Sequence, residues 1–139
     1  MFSISLIPKK DISSILPLVR MLNTELSNSE LLSRLDEMLA QGYECVGVYD
    51  KEKLIGIAGL WIITKLYIGK HIEPDNVIID PAYRNKGIGE LLMNWIYEYG
   101  KKRGCVASEL NCYMANEKGQ KFWVKEGYTP LGIHYQKKL

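Results

Sequence analysis

The stretch Val77-Ile78-Ile79-Asp80-Pro81-Ala82-Tyr83-Arg84-Asn85-Lys86-Gly87-Ile88-Gly89 holds the residue types and spacing best suited to chemistry. A short apolar run ends at Asp80-Pro81, a basic glycine-bearing loop follows, and a strong helical pattern starts at once. A helix start presents unpaired backbone N–H groups and about half a positive charge, which together suit a phosphate. Gly87 and Gly89 carry no Cβ, so a ligand can approach the backbone. Arg84 and Lys86 set two cations beside that start. The chemistry implied is the holding of an anion or a pyrophosphate. The spacing is neither the GxxxxGK[ST] of a nucleotide P-loop nor the GxGxxG of a dinucleotide fold. The same residues also suit a plain strand-to-helix turn, with the glycines serving only the bend.

The remaining reactive side chains are scattered. Cys45, Cys105 and Cys112 form no CxxC pair, and neither they nor His71 and His134 have metal-ligand spacing, so no metal is expected. Three cysteines read as reduced, buried hydrophobes. With 139 residues, 47% hydrophobic and 24% charged, the chain has the size and composition of one globular domain, residues 1–139. A net charge of +2 excludes a basic nucleic-acid footprint, so no nucleic-acid partner is expected. The N-terminus lacks the basic region of a signal peptide, and the apolar run Leu54 to Ile63 is too short to span a bilayer. The expectation is a cytoplasmic protein with no membrane partner.

The elements that must position the loop follow from periodicity. Phe2, Ile4 and Leu6 alternate as a strand stopped by Pro8. Ile12, Ile15, Leu16, Val19, Leu22 and Leu26 recur at helical spacing; a start at Ser14 puts Pro17 in the tolerated first turn. Ser27 and Glu30 form a capping box for a second helix, with Leu31, Leu35, Met38 and Leu39 inward and Gly42 as its stop. Strands are expected at Glu44 to Tyr49 and Leu54 to about Tyr67, the latter central, and then, after a turn at Gly69-Lys70-His71, at Asn76 to Asp80. Ile88, Leu91, Leu92, Trp95, Ile96 and Tyr99 predict a helix closed by Gly104. Cys105 to Tyr113 reads as a strand, Asn116 to Glu126 as a helix, and Tyr128 to Lys138 as one or two strands. Strand–helix–strand succession around the long helix requires a parallel crossover, hence α/β or mixed α+β.

Two blocks in this order resemble the GCN5-related N-acetyltransferases. The segment from Val77 to Gly89 looks like their acetyl-CoA motif: a strand, a proline, Arg/Gln-x-x-Gly-x-Gly/Ala, then an amphipathic helix. Asn116, Phe122, Gly127 and Tyr128 match their second block, and the order of elements fits over nearly the whole chain. The resemblance implies the acyl-CoA N-acyltransferase fold, with a mixed, mostly antiparallel sheet of six to seven strands and about four helices. It implies acetyl-CoA as cosubstrate and direct transfer of its acetyl group to a primary amine of a small molecule or peptide. The other reading is an acyl-CoA-binding sensor or scaffold with little catalysis.

The resemblance also assigns roles. Backbone N–H groups of Asn85, Lys86, Gly87, Ile88, Gly89 and Glu90, opened by Arg84, would hold the pyrophosphate. Val77, Ile78 and Ile79 would pair with the pantetheine arm and aim an N–H at the thioester carbonyl, stabilising an oxyanion. The strand around Leu110 to Tyr113 would splay away to make the slot. Asn116 would hydrogen-bond the cofactor arm, and Phe122 and Trp123 would pack near it. Trp123 departs from the family, which has a tyrosine there that protonates the departing thiolate; an indole N–H cannot act as an acid near neutral pH. The thiolate could instead take its proton from water, from the product ammonium or from another tyrosine, for which Tyr113 and Tyr128 are the candidates and Tyr128 the one carried forward. A base for the amine is expected at Asp75 or Glu73, which share a face of an extended strand. Asp80 and Glu109 lie nearby, and Pro74 signals an irregular register. The final strands leave homodimerisation open. His71-Ile72-Glu73 and Leu110-Asn111-Cys112 faintly resemble glucosamine-phosphate acetyltransferases.

Overall fold

The computed structural model describes residues 1–22 and 25–139. The N-terminal alternation forms strand β1, Phe2–Leu6, and Pro8 then leads a 3₁₀ turn over Lys9–Ile15. Helix α1 is Leu16–Leu22, so Pro17 sits in its first turn as expected, but the α-helix begins later than Ser14. The earlier part of that pattern, Ile12 and Ile15, lies in the 3₁₀ turn. Its continuation from Leu22 to Leu26 passes through residues 23–24, which lie outside the described residues. Helix α2, Asn28–Ala40, starts on the capping box: Glu30 N–H donates to Ser27 Oγ at 3.1 Å, and Ser27 N–H donates to Glu30 Oε1 at 3.4 Å. Leu31 and Leu35 are its buried residues, and Gly42 reverses the chain at φ 101°.

Strands β2 (Glu44–Asp50), β3 (Lys53–Lys65) and β4 (Gly69–Ile79) then form an antiparallel meander. Helix α3 (Ile88–Lys102) crosses over to β5 (Ala107–Ser108), which lies parallel beside β4. The sheet order is β1-β2-β3-β4-β5, with β3 central. Helix α4, Glu117–Lys125, follows, and Gly127 ends it at φ 98°. No described helix is long and apolar enough to cross a membrane.

The sheet separates two apolar layers. On one face Val46, Val48, Ile55, Ala58, Leu60 and Ile72 pack against Ile88, Leu92, Met93 and Ile96 of α3. On the other, Tyr43, Cys45, Ile57 and Ile78 pack against Ile7, Ile12, Ile15, Leu18 and Leu35. Met93 is buried where the helical reading had Leu91, which is 50% exposed; the inner stripe of α3 is rotated by part of a turn from the one expected.

Four expectations are corrected. The sheet has five described strands, not six or seven. Gly69-Lys70-His71 is the start of β4 rather than a turn, because His71 and Lys70 pair with Ile63 and Thr64. The Cys105 to Tyr113 strand shrinks to two residues, since only Ala107 and Ser108 find register partners on β4. No strand forms between Tyr128 and Lys138; an alternating pattern needs an edge to pair with, and residues 129–139 make no backbone hydrogen bond to the described chain.

Gly59 of β3 shows how tightly the second layer is packed. A Cβ there would lie 2.4 Å from Tyr43 Oη and 2.6 Å from its ring, and Tyr43 is fully buried against Trp61 with ring centroids 5.2 Å apart. Overpacking a filled core costs about 1–3 kcal/mol. Gly59→Ala is therefore expected to lower Tm by roughly 4–12 °C in a thermal melt. An unchanged Tm would mean that Tyr43 has room to move.

Candidate active site

The loop after β4 is shaped residue by residue. Asp80 N–H donates to Ile55 O at 2.8 Å, and Asp80 Oδ1 accepts from Ala82 N–H at 2.9 Å, which sets up the single 3₁₀ turn Pro81–Tyr83. Asn85 then takes φ 61° and Gly87 φ 75°. Left-handed residues so close together fold the backbone into a concave run of N–H groups. Gly87 precedes α3 without a capping side chain, and the first helical bond is Leu91 N–H to Gly87 O at 3.2 Å. The N–H groups of Ile88, Gly89 and Glu90 thus stand at an open helix start. A Cβ on Gly87 would meet nothing within 4 Å, so space opens directly off the backbone. Arg84, Asn85, Lys86 and Gly87 are exposed, whereas the side chain of Ile88 is buried, leaving only its backbone to offer. Lys86 Nζ lies 5.4 Å from the centre of the Tyr83 ring, and Tyr83 itself is held by a 2.7 Å bond from its hydroxyl to Asp50 Oδ2.

The site continues along a fork between β4 and β5. Their pairing is limited to His71 with Ala107 and Ile72 with Ser108, and it ends at the 3.1 Å bond from Glu109 N–H to Ile72 O. Beyond that point the segment around Leu110 to Tyr113 leaves the sheet, so Val77 to Ile79 have no described strand on that side. A β-bulge shapes the same stretch. Register passes from Gly59 with Asp75 to Ile57 with Ile78, so Asn76 and Val77 both oppose Ala58. Asn76 takes φ 50°, a conformation asparagine tolerates better than most residues. The extra residue inverts the alternation: Ile72 faces α3 before the bulge, and Val77 and Ile79 face it after. Pro74 marks the region, but the irregularity lies two positions later.

At the apex of the fork three ionisable side chains converge. His71 is fully buried, its Nδ1 lies 3.0 Å from Gly69 O, and its Nε2 lies 2.6 Å from Glu73 Oε2. A carbonyl only accepts, so Nδ1 carries a proton and the second contact shares one mobile proton between imidazole and carboxylate. Glu109 Oε1 lies 3.8 Å from the same Nε2 and also accepts from the Tyr67 hydroxyl. Lys65 Nζ is 3.6 Å from Glu73 Oε2. Burial pushes the imidazole pKa down, but the bond to Gly69, the bond to Glu73 and the charges of Glu73 and Glu109 outweigh it, and the net shift is upward. One atom from each of His71, Glu73 and Glu109 lies within 4.8 Å of the others, a grouping the sequence spacing did not show because Glu109 is brought there by the segment directly after β5.

The other expected residues occupy distinct positions. Glu73 and Asp75 do share a face, but Asp75 is engaged separately, with Trp61 Nε1–H donating to its Oδ2 at 3.2 Å. Tyr128 lies on the α3 side, its hydroxyl 2.6 Å from Ser108 Oγ of β5 and its ring 5.5 Å from Trp123. Burial raises the Tyr128 phenol pKa against the lowering effect of Ser108 and Tyr97. Trp123 and Phe122 meet edge to face at 4.8 Å, and Phe122 would be 3.3 Å from a Cβ on Gly89, so α4 backs the start of α3. Asn116 caps α4, its Oδ1 accepting from Gly119 N–H at 2.9 Å; a side chain at Gly119 would meet Asn116 at 2.4 Å. Tyr113, the other candidate acid, is 87% exposed. Cys45 is buried with its thiol pushed up to about 12, which removes it as a nucleophile near neutral pH.

The sequence model of the acetyltransferase (GNAT) family matches residues 15–128. An uncharacterised N-acetyltransferase of Bacillus subtilis, YhdJ, is 22% identical over 115 residues, 81% of each chain. A glucosamine 6-phosphate N-acetyltransferase of Trypanosoma brucei brucei is 32% identical over 80 residues, covering 55% of this chain and 51% of that protein. In fold, the chain superposes on an aminoglycoside N-acetyltransferase, AAC(6')-Iy, solved with CoA. That match has a TM-score of 0.85 at 18% identity and covers 100% of this chain and 96% of the other. With the family match spanning both the loop and the fork, the chain belongs to the acetyltransferase (GNAT) family and is an acetyl-CoA-dependent N-acetyltransferase.

Proposed function

We propose that this enzyme transfers the acetyl group directly to the primary amine of a small amino sugar. The observation that carries this is the His71–Glu73–Glu109 cluster at the apex of the fork, a base with hydrogen-bonding neighbours where an amine would meet an acyl group. Support for the sugar class comes from the Trypanosoma relative, whose acceptor is glucosamine 6-phosphate.

In this reading the chain holds its cosubstrate at two places. Backbone N–H groups from Asn85 to Glu90 meet the pyrophosphate, with Arg84 and Lys86 as flanking cations; the open space off Gly87 fits such a group. The main chain of Val77, Ile78 and Ile79, open on the side away from β3, takes the pantetheine arm. Acetyl-CoA supplies the acyl group as a thioester. From Glu73 to Ile79 the strand runs about 20 Å, which separates the phosphate end from the amine end. Glu73 takes the proton of the substrate ammonium and shares it with His71, while Glu109 and Tyr67 fix the opposite wall. Asp75, held by Trp61, orients the strand and is not the base. The half-buried Tyr128 phenol stands in for the tyrosine missing at Trp123 and returns a proton to the departing sulfur. Phe122 and Trp123 form the apolar support behind the loop, and Asn116 serves as a helix cap.

A thiol-release assay with acetyl-CoA and glucosamine 6-phosphate, glucosamine, an aminoglycoside, a polyamine and a peptide tests this. The amino sugars are expected to turn over at least tenfold faster in kcat/KM than the polyamine or peptide. A peptide as the best acceptor would overturn the substrate class. Thermal stabilisation by acetyl-CoA with no turnover on any amine would overturn the catalytic reading.

A further inference from the structure

We propose that His71, Glu73 and Glu109 are the protein ligands of a zinc-class divalent cation, which takes the place of the shared proton at the apex of the fork and switches acetyl transfer off. The binding stands on the geometry of the cluster; the switching rests on the proposed role of Glu73 as base.

The register brings the three groups together. His71 pairs with Ala107 and Ile72 with Ser108, so the next step of the same parallel ladder sets Glu109 beside Glu73. The bond from Glu109 N–H to Ile72 O at 3.1 Å completes that step. Residues two apart on a strand share a face, which brings His71 to both carboxylates. Like charges side by side on neighbouring strands are destabilising, and a cation between them removes the penalty. Lys65 Nζ, 3.6 Å from Glu73 Oε2, offsets one of the two charges. Among the described residues no lysine or arginine forms an ion pair with Glu109. With a neutral imidazole the cluster therefore keeps a surplus of negative charge.

The imidazole is held in the way a metal-bound histidine is held. Its Nδ1 lies 3.0 Å from Gly69 O, which fixes that proton and leaves the Nε2 lone pair for an ion. The carboxylates have outer partners of their own, the Tyr67 hydroxyl on Glu109 and Lys65 on Glu73. Such outer contacts keep a ligand set in place. Glu73 Oε2 and Glu109 Oε1 lie 2.6 Å and 3.8 Å from Nε2, and two ligands of a tetrahedral zinc stand about 3.3 Å apart. The two glutamate side chains are 19% and 23% exposed, so they can make that adjustment and admit the ion, while His71 is fully buried behind them. Three protein ligands leave a fourth position to water. The imidazole nitrogen selects zinc, copper or nickel over magnesium and calcium, which prefer oxygen. An ion so bound holds both the Nε2 lone pair and the Glu73 oxygen, and neither can then accept a proton from the substrate ammonium.

Calorimetry with zinc chloride alone, on the full chain freed of metal by a chelator, tests the site without acceptor or acetyl-CoA. One zinc ion per chain is expected, undisplaced by about 1,000-fold excess magnesium. Cobalt(II) in its place is expected to show the visible bands of a nitrogen and oxygen site, with no thiolate charge-transfer band. Glu109→Gln and His71→Asn are each expected to weaken zinc binding at least 100-fold, and Tyr67→Phe by about 10–100-fold. His134→Ala is expected to leave it unchanged. Circular dichroism accompanies the buried His71 variant, and the more exposed Glu109 and Tyr67 keep the test decisive if that variant unfolds. Acetylated product is followed by chromatography, because the released thiol itself binds zinc. It is expected to fall in proportion to zinc occupancy and to return when chelator is added. No binding overturns the proposal, as does zinc affinity that persists in both Glu109→Gln and Tyr67→Phe, or a thiolate band that places the ion on cysteine. Full occupancy with an unchanged rate overturns the switch. A fully active Glu73→Gln enzyme with weakened zinc binding would overturn the base assignment instead and support the metal site.

Discussion

Gly87→Asp is expected to weaken acetyl-CoA binding by at least 100-fold while leaving the fold intact. A residue with a Cβ at φ 75° costs about 1–2 kcal/mol, and the Cβ itself meets nothing within 4 Å, so the structural penalty is confined to the backbone. The binding penalty is larger. A carboxylate about 4 Å from a phosphate repels it by ~4 kcal/mol at an effective dielectric of 20, a factor near 10³. The same carboxylate would also attract the helix N–H groups that the phosphate uses. Gly87→Asn separates the two effects, because it keeps the shape, tolerates the left-handed conformation and carries no charge. Titration calorimetry should find the Asn variant intermediate and the Asp variant's loss reduced by added salt. Wild-type affinity in both would place the pyrophosphate elsewhere.

This loop was legible from sequence because everything that makes it is local. Asp80, Pro81, Asn85 and Gly87 set their own turns within eight positions, and the start of α3 needs no distant partner. The capping box at Ser27 and the central place of β3 were legible for the same reason. Elements decided by pairing were not. β4 begins at Gly69 because β3 continues far enough to pair with it, and no pattern within Gly69-Lys70-His71 records that. β5 is short because the chain leaves the sheet after Glu109, so only Ala107 and Ser108 find partners on β4, although Cys105 to Tyr113 has strand composition throughout. His71 read as a lone histidine, since Glu109 reaches it only through the parallel crossover. Glu73 and Asp75 could be placed on one face by alternation, but their different partners, His71 and Trp61, could not be read from spacing. Trp123 was the one local departure, and it pointed to an acid needing to come from elsewhere. Tyr128, held by Ser108, is a half-buried phenol in that neighbourhood.

The partners of Glu73 lead to the second large effect, a coupled change in rate and stability with pH. The His71 imidazole, hydrogen-bonded to Glu73, holds its proton to a pH above the ordinary imidazole value and gives it up as pH rises through that raised value. kcat is therefore expected to climb with pH through a single ionisation above 6.5 and then level. Stability moves in the opposite sense. A histidine whose folded pKa is raised stabilises the fold fully below its unfolded value near 6.5, and that contribution is lost as pH passes the raised value. The form competent as a base is thus the less stabilised one, and Tm should fall over the same interval in which kcat rises. Glu73→Gln keeps a hydrogen-bonding partner for His71 but cannot take a proton. It should cut kcat by about 10²–10⁴-fold and flatten both limbs, with acetyl-CoA affinity unchanged. Asp75→Asn, altering only the bond from Trp61, should cost less than tenfold and leave the profile in place. His71→Asn should remove the rate limb while keeping Glu73; because His71 is buried, its melting profile is recorded alongside to separate lost relay from lost fold. A pH–rate limb that survives in Glu73→Gln but vanishes in Asp75→Asn would move the base to Asp75. A limb that survives in all three would assign it to the substrate amine alone.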